Sequence, residues 1–119
     1  MESFSLANTK ANDEVAAAAG QMLASNKTLQ MLNIETNFLT TEGIILLLEP
    51  LRSNQTLIEL RISNQRQKIA SKAEEFMAGV LEENKKLKKL GYTFSCAGPR
   101  HNCGHFITRN MDLARQQRT

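Results

Sequence analysis

The sequence predicts an α/β solenoid of stacked strand-plus-helix units, and three observations predict it. One pattern occurs three times: Asn26-Lys-Thr-Leu29-Gln-Met-Leu32-Asn-Ile34, Asn54-Gln-Thr-Leu57-Ile-Glu-Leu60-Arg-Ile62 and Asn84-Lys-Lys-Leu87-Lys-Lys-Leu90-Gly-Tyr92. The offsets are 28 and 30 residues, a period at which single units cannot bury their own apolar faces and must stack. Between the copies, apolar residues recur at helical spacing. Composition agrees: 41% of residues are apolar but only 5% aromatic, with no Trp, so the core must be aliphatic. The fold class is therefore a right-handed leucine-rich-repeat solenoid, ribonuclease-inhibitor-like, with parallel strands on one face, helices on the other and a C-terminal capping helix.

The Leu-x-x-Leu-x-Ile segment of each copy reads as a short buried strand. Stepping back 28 residues from Leu32 and Ile34 reaches Phe4 and Leu6, so Phe4-Ser-Leu6 is a fourth strand. The first helix starts at Asp13 with Asn12 or Asp13 as N-cap, and Val15, Ala19, Met22 and Leu23 form its inner face. The second starts at Thr40 or Thr41 with Ile44, Leu47, Leu48 and Leu51 inward. Pro50 removes a backbone donor from its last turn and ends or kinks it. The third runs from Ser71 to Glu83 over Ala73, Phe76, Met77, Val80 and Leu81. Each helix stops before an Asn (Asn26, Asn54, Asn84), which suits a left-handed C-terminal cap. After Phe94 the repeat ends, and Gly98-Pro99 breaks the chain. A last helix over about 102–116 would present Phe106, Ile107, Met111 and Ala114 to the open end of the stack, and Gln116 to Thr119 is expected to fray. The expected organisation is one domain over 1–119, with repeats over 1–95 and a capping loop and helix over 96–119.

Several classes are excluded or disfavoured. The run Ile44–Leu48 falls far short of the roughly 20 apolar residues of a membrane span. The N-terminus lacks a charged lead and an apolar region, so no signal peptide is expected. Met1 opens almost directly onto a strand, which suggests a piece cut from a longer protein. The two cysteines, Cys96 and Cys103, read as free thiols of a reducing compartment. Cys96-x4-His101-x-Cys103-x-His105 lacks the usual zinc spacing and straddles a Gly-Pro break, so no metal site is expected. No phosphate-cradling glycine loop, nucleophile elbow or carboxylate pair appears; neither catalysis nor a cofactor is expected. Glu74-Glu75 and Glu82-Glu83 read as wet helix faces, Tyr92 as core, and Met22, Met77 and Met111 as core filling.

Charge is unevenly distributed. Residues 1–84 carry seven Lys/Arg and eleven Asp/Glu, a net −4, whereas residues 85–119 carry eight Lys/Arg and one Asp, a net +7. A basic end on an acidic body suggests an acidic partner met at that end. Nucleic acid is disfavoured because the positive residues are not interleaved with exposed aromatics.

The residues also resemble a known family. Phe4-Ser-Leu6 with Thr9, Asn12-Asp13 with Val15-Ala16, Leu32-Asn-Ile-Glu with Asn37-Phe38, Asn64-Gln65 with Gln67, Gly91-Tyr92 with Phe94, Gly98-Pro99-Arg100, and Asn110 with Asp112-Leu113 and Arg115 are similar, in register, to the tropomodulins and leiomodins. The resemblance implies a leucine-rich-repeat domain that binds actin. It implies a cytoplasmic, cytoskeletal place at filament pointed ends, where the domain blocks subunit addition and loss. Tropomyosin binding would need a region absent from this chain, and the domain is expected to be a monomer. Actin is acidic, which makes Arg66, Lys68, Lys88, Arg100, Arg109, Arg115 and Arg118 the candidate contacts. Arginine is favoured among them for its planar, bidentate grip on carboxylates. Without the resemblance, the alternative is a generic repeat scaffold binding another protein through its strand face.

Overall fold

The structure is a computed structural model that describes residues 2–117. Eight elements alternate along the chain: β1 (Ser3–Ser5), α1 (Asp13–Ser25), β2 (Met31–Asn33), α2 (Thr41–Leu48), β3 (Glu59–Arg61), α3 (Ser71–Glu83), β4 (Lys89–Gly91) and α4 (Ala97–Gln117). The strands form one parallel sheet in the order β1-β2-β3-β4. Register follows the repeat, so Phe4, Leu32, Leu60 and Leu90 occupy one rung. Helices α1, α2 and α3 pack side by side, and α4 packs on α3.

Side chains alternate across a strand, so every second residue enters the space between sheet and helices. Leu32, Ile34, Leu60 and Ile62 are fully enclosed there, as are Ile44, Leu47 and Leu51 from the second repeat. Phe4 shares their rung but is 43% exposed, because no described coil covers the outer side of β1. Gly20 lets α1 approach the α2 backbone: a Cβ there would lie 2.7 Å from the Leu46 carbonyl oxygen. Pro50 ends α2 at Leu48, and a 3-10 turn over Glu49–Arg52 completes the coil.

The asparagines after the helices behave differently from the sequence expectation. Asn26 (φ −76°, ψ 134°) and Asn84 (φ −84°, ψ 120°) are extended, not left-handed. Their side chains do the capping instead. Asn84 Oδ1 accepts the N–H groups of Lys86 and Leu87, and Nδ2 donates to the carbonyls of Leu51 and Asn54 in the previous coil. Asn54 repeats the arrangement with Thr56, Leu57 and the Leu23 carbonyl. Asn26 caps Thr28 and Leu29. The column ends in α4, where Asn110 Nδ2 donates to the carbonyls of Asn84 and Leu87.

A second column stands at the strand exits. Asn37 Oδ1 accepts from the N–H groups of Thr9 and Ala11, and its Nδ2 donates to the carbonyls of Leu6, Ile34 and Glu35. Gln65 does the equivalent work one coil later, between the Ile34 and Ile62 carbonyls and the Leu39 N–H. The turn residues before this column are left-handed: Asn8 (φ 55°), Thr36 (φ 57°) and Asn64 (φ 61°).

Helix α4 departs from expectation at both ends. It begins at Ala97, not near 102, with Gly98 and Pro99 inside its first turn. Proline is tolerated there because first-turn N–H groups have no intrahelical partner. It continues through Gln117, two residues into the segment expected to fray, whose residues 118–119 lie outside the described ones. Its inward stripe is Cys103, Phe106, Ile107 and Asn110, whereas Met111 is 41% exposed and is not core. Asn110 has taken the inward place because the Asn84 and Leu87 carbonyls need a donor.

Two outcomes follow from the columns. Asn84→Ala strands two N–H groups and two carbonyls beside the core and should lower unfolding stability by about 3 kcal/mol in urea denaturation. Asn26→Ala, which uncaps the Thr28 and Leu29 N–H groups at a partly wet edge, should cost about 1 kcal/mol. At Thr36 a β-branched residue holds a left-handed conformation, so Thr36→Asn should raise stability by about 0.5–1 kcal/mol in the same assay.

Candidate functional site

Helix α4 crosses the end of the stack, and the basic residues divide between the two edges it joins. Twenty-one residues at about 1.5 Å each give a rod of about 31 Å, comparable with the 32 Å middle dimension of the molecule. Its first turn lies beside the strand exits and its last turns lie beside the strand entries.

Along the strand-exit ridge stand Arg66, Lys68 and Arg100, all exposed. The Arg66 guanidinium lies 5.8 Å from the ring centre of Phe38, itself 41% exposed. The pair presents an aromatic face with a positive charge above it, a combination favoured at the centre of protein interfaces. Arg100 borders a groove of about 460 Å³ between β4 and α4 whose walls include Leu90, Phe94 and Ile107. β4 is the last strand, so one of its edges is unpaired among the described residues.

Lys88 lies on the other edge. It lines a groove with Lys27, Lys85 and Lys86, and it also borders a smaller depression with Met111 and Arg115. Arg115 is exposed and pairs with Asp112 at 3.1 Å. Lys89 is exposed on β4. Lys27 was not among the sequence candidates, yet its signal was available: it occupies the repeat position of Lys85.

Arg109 is held inside the fold. Its guanidinium donates to the carbonyls of Leu81, Glu82 and Asn84 and to Asn110 Oδ1, and it stacks 5.0 Å from the Phe106 ring centre. These are the unpaired carbonyls of the α3 C-terminus, where a cation also meets the negative end of the helix dipole. Arg109 thus closes α3 and fastens α4 to it. Arg118 lies outside the described residues.

Glu74 corrects the reading of a wet helix face: it is fully buried. Its carboxylate accepts from the Ser95 N–H and hydroxyl, the Cys96 N–H and the Tyr92 hydroxyl. Burial alone would raise its pKa, but these donors outweigh it and hold the carboxyl below the ordinary glutamate value. The same contact, after burial, pushes the Tyr92 phenol upward. Glu74 is thus the anchor of the loop that leads into α4. Helical spacing carried a partial signal, since Glu74 stands three and seven residues before the buried Met77 and Leu81 while Glu75 falls on the outer face. Its partners in the next coil were not visible.

The cysteines and histidines separate in space. Cys103 is 2% exposed, and burial first, then the charge of Glu74, pushes its thiol up to about 11. His101 and His105 are exposed on α4. Among the described residues no three metal-ligating side chains converge.

The chain matches the family model of the tropomodulin/leiomodin (TMOD/LMOD) leucine-rich domain over residues 1–113. It is 47% identical to leiomodin-2 of Gallus gallus over 118 residues, 99% of this chain and 21% of that protein. It is 45% identical to tropomodulin-4 of Mus musculus over 118 residues, 99% of this chain and 34% of that protein. It therefore spans only about a fifth to a third of the length of these relatives. A solved structure described as leiomodin-1 actin-binding site 2 superposes with a TM-score of 0.96 at 46% identity, covering 99% of this chain and 68% of that one. A Caenorhabditis elegans tropomodulin C-terminal domain gives 0.93 at 34% identity, covering 99% and 71%.

The buried carboxylate generates a pH dependence. Glu74 has a lowered folded pKa, so its contribution is complete above the ordinary glutamate value of about 4.3 and is lost as pH falls through the lowered value. Glu74→Gln faces donors with a donor and should lower stability by about 2 kcal/mol near pH 7. The gap between wild type and variant should narrow as pH falls to about 3, which urea midpoints at each pH would measure.

Proposed function

The chain belongs to the tropomodulin and leiomodin family, and on that premise we propose that it is an actin-binding module acting at filament pointed ends. The single observation that carries this reading is the likeness, over 99% of this chain and 68% of the other, to the structure described as leiomodin-1 actin-binding site 2. The chemistry of the surface agrees with an acidic partner. Arg66, Lys68 and Arg100 are exposed on one edge, and Lys88 and Arg115 stand on the other.

The mechanism is steric. Side-chain columns and a shared aliphatic core make the stack stiff, so little conformational entropy is lost on docking. A rigid body lying across terminal subunits blocks both their addition and their loss. The Phe38–Arg66 pair supplies a buried centre on docking, and the outer lysines set association rate and salt dependence. The domain acts as a binding module rather than a catalyst, in the cytoplasm and on the actin cytoskeleton. Binding to tropomyosin would lie with sequence outside this chain.

The test is elongation from seeds blocked at their barbed ends. Micromolar domain should slow pointed-end growth, and Arg66→Glu with Lys68→Glu should weaken actin binding by about tenfold or more with an unchanged thermal midpoint. Arg109→Glu should lower the midpoint instead, because its guanidinium closes α3. Unchanged growth together with no binding to monomeric actin would refute the assignment.

A further inference from the structure

We propose that the strand-entry edge is a second docking site, distinct from the exit ridge, which takes an extended acidic peptide anchored by an apolar side chain. The site is a groove of about 560 Å³ that crosses three successive turns of the stack. The repeat brings equivalent positions into rows. Lys27, Gln55 and Lys85 make one row, and Gln30, Ile58 and Lys88 make the next. Ammonium groups therefore stand at both ends of an uncharged middle, and Lys86 adds a fourth.

These charges are not used by the fold. Among the described residues no Asp or Glu lines the groove, and Glu2 reaches it only through the Thr28 hydroxyl. Among the described residues none of the four lysines is in an ion pair, although Lys72 and Arg52 elsewhere each are. The backbone of the same turns is already satisfied, because Asn26, Asn54 and Asn84 accept the N–H groups of Thr28, Leu29, Thr56, Leu57, Lys86 and Leu87. Four like charges around one concavity repel each other while it is empty, and an anion relieves that repulsion.

The apolar wall decides which anion. It is made by Leu113 and Ala114 of α4, with Ile58 beside the lysines. A phosphate or an inositol headgroup would gain nothing from that wall. A peptide carrying carboxylates on one side and an aliphatic or aromatic side chain on the other satisfies both. Three strands about 4.8 Å apart span about 10 Å, the reach of about three extended residues. The turns are held by the asparagine column, so the groove is formed before the ligand arrives. The site does not rest on actin binding: of the candidate actin contacts it shares only Lys88, and the actin test above uses Arg66 and Lys68 on the opposite edge.

The experiment is a fluorescence-anisotropy titration of the whole chain with a labelled peptide of alternating Glu and Leu, at low salt. Saturable binding is expected, weakened by raised salt. It should fall about tenfold or more in Lys85→Glu with Lys88→Glu, and several-fold in Leu113→Asn, but remain unchanged in Lys68→Glu on the exit ridge. Amide shifts of the wild-type protein on adding peptide should map to 27–30, 55–58, 85–88 and 113–114, which keeps the test independent of how any variant folds. Absence of binding, or shifts confined to the exit ridge, would overturn the site. Equal affinity for a leucine-free Glu peptide or for inositol hexakisphosphate would overturn the peptide assignment and leave a plain polyanion site.

Discussion

The structure depends on one constraint: every coil leaves backbone groups beside the core that only the next coil can satisfy. The strands are three residues long, so the ladder alone leaves many N–H and carbonyl groups at each bend. Unpaired, each would cost on the order of 1–3 kcal/mol. Asn54, Asn84 and Asn110 resolve this on the strand-entry side, and Asn37 and Gln65 on the exit side. An amide suits this place because it carries donors and an acceptor together. It can accept from its own turn while donating to the neighbouring coil, which sets spacing and register at once. The aliphatic interior supplies the driving force and opposes a one-residue slip, which would turn Leu60 and Ile62 outward, but it does not direct where polar groups of adjacent coils meet. The amides are what make one stacking geometry preferable to its slips.

The end of the stack needs a different solution, because there is no further coil. Helix α4 and the loop that leads into it supply the solution through three sets of polar contacts. Asn110 continues the asparagine column, Arg109 takes the α3 carbonyls, and Glu74 takes the N–H groups of the loop before α4. A buried carboxylate is acceptable here because Ser95, Tyr92 and Cys96 surround it with donors. The lid is thus fastened by directed bonds, and Cys103, Phe106 and Ile107 add buried apolar area.

That fastening separates two kinds of basic residue in a strongly basic C-terminal third. Arg109 is committed to the fold. Arg66, Lys68, Arg100, Arg115 and the lysines of the entry groove are left at the surface, where they can meet an acidic partner. Because α4 runs from one edge to the other, the two groups belong to one rigid frame. A frame held by amide columns presents both edges without reorganisation, the property the proposed steric block would need.

Much of this was legible in the chain. The repeat, the helix starts at Asn12 and Thr40, the buried leucines and the stop at Pro50 all follow from spacing, capping chemistry and the loss of a backbone donor. These are local rules, and a linear sequence carries them. The sequence also showed that the C-terminal third is basic. What it could not show is which polar side chains turn inward. Glu74 and Glu75 are chemically alike, Asn110 and Met111 are neighbours on one helix, and Arg109 differs from Arg115 only in its surroundings. Their fates are set by orphaned carbonyls and N–H groups on another coil, which exist as a demand only once the coils are stacked. Lys27 and Lys85, 58 residues apart at equivalent repeat positions, were by contrast legible in the chain. Tertiary structure chose among residues of equal local propensity by where an unpaired backbone group had to be met.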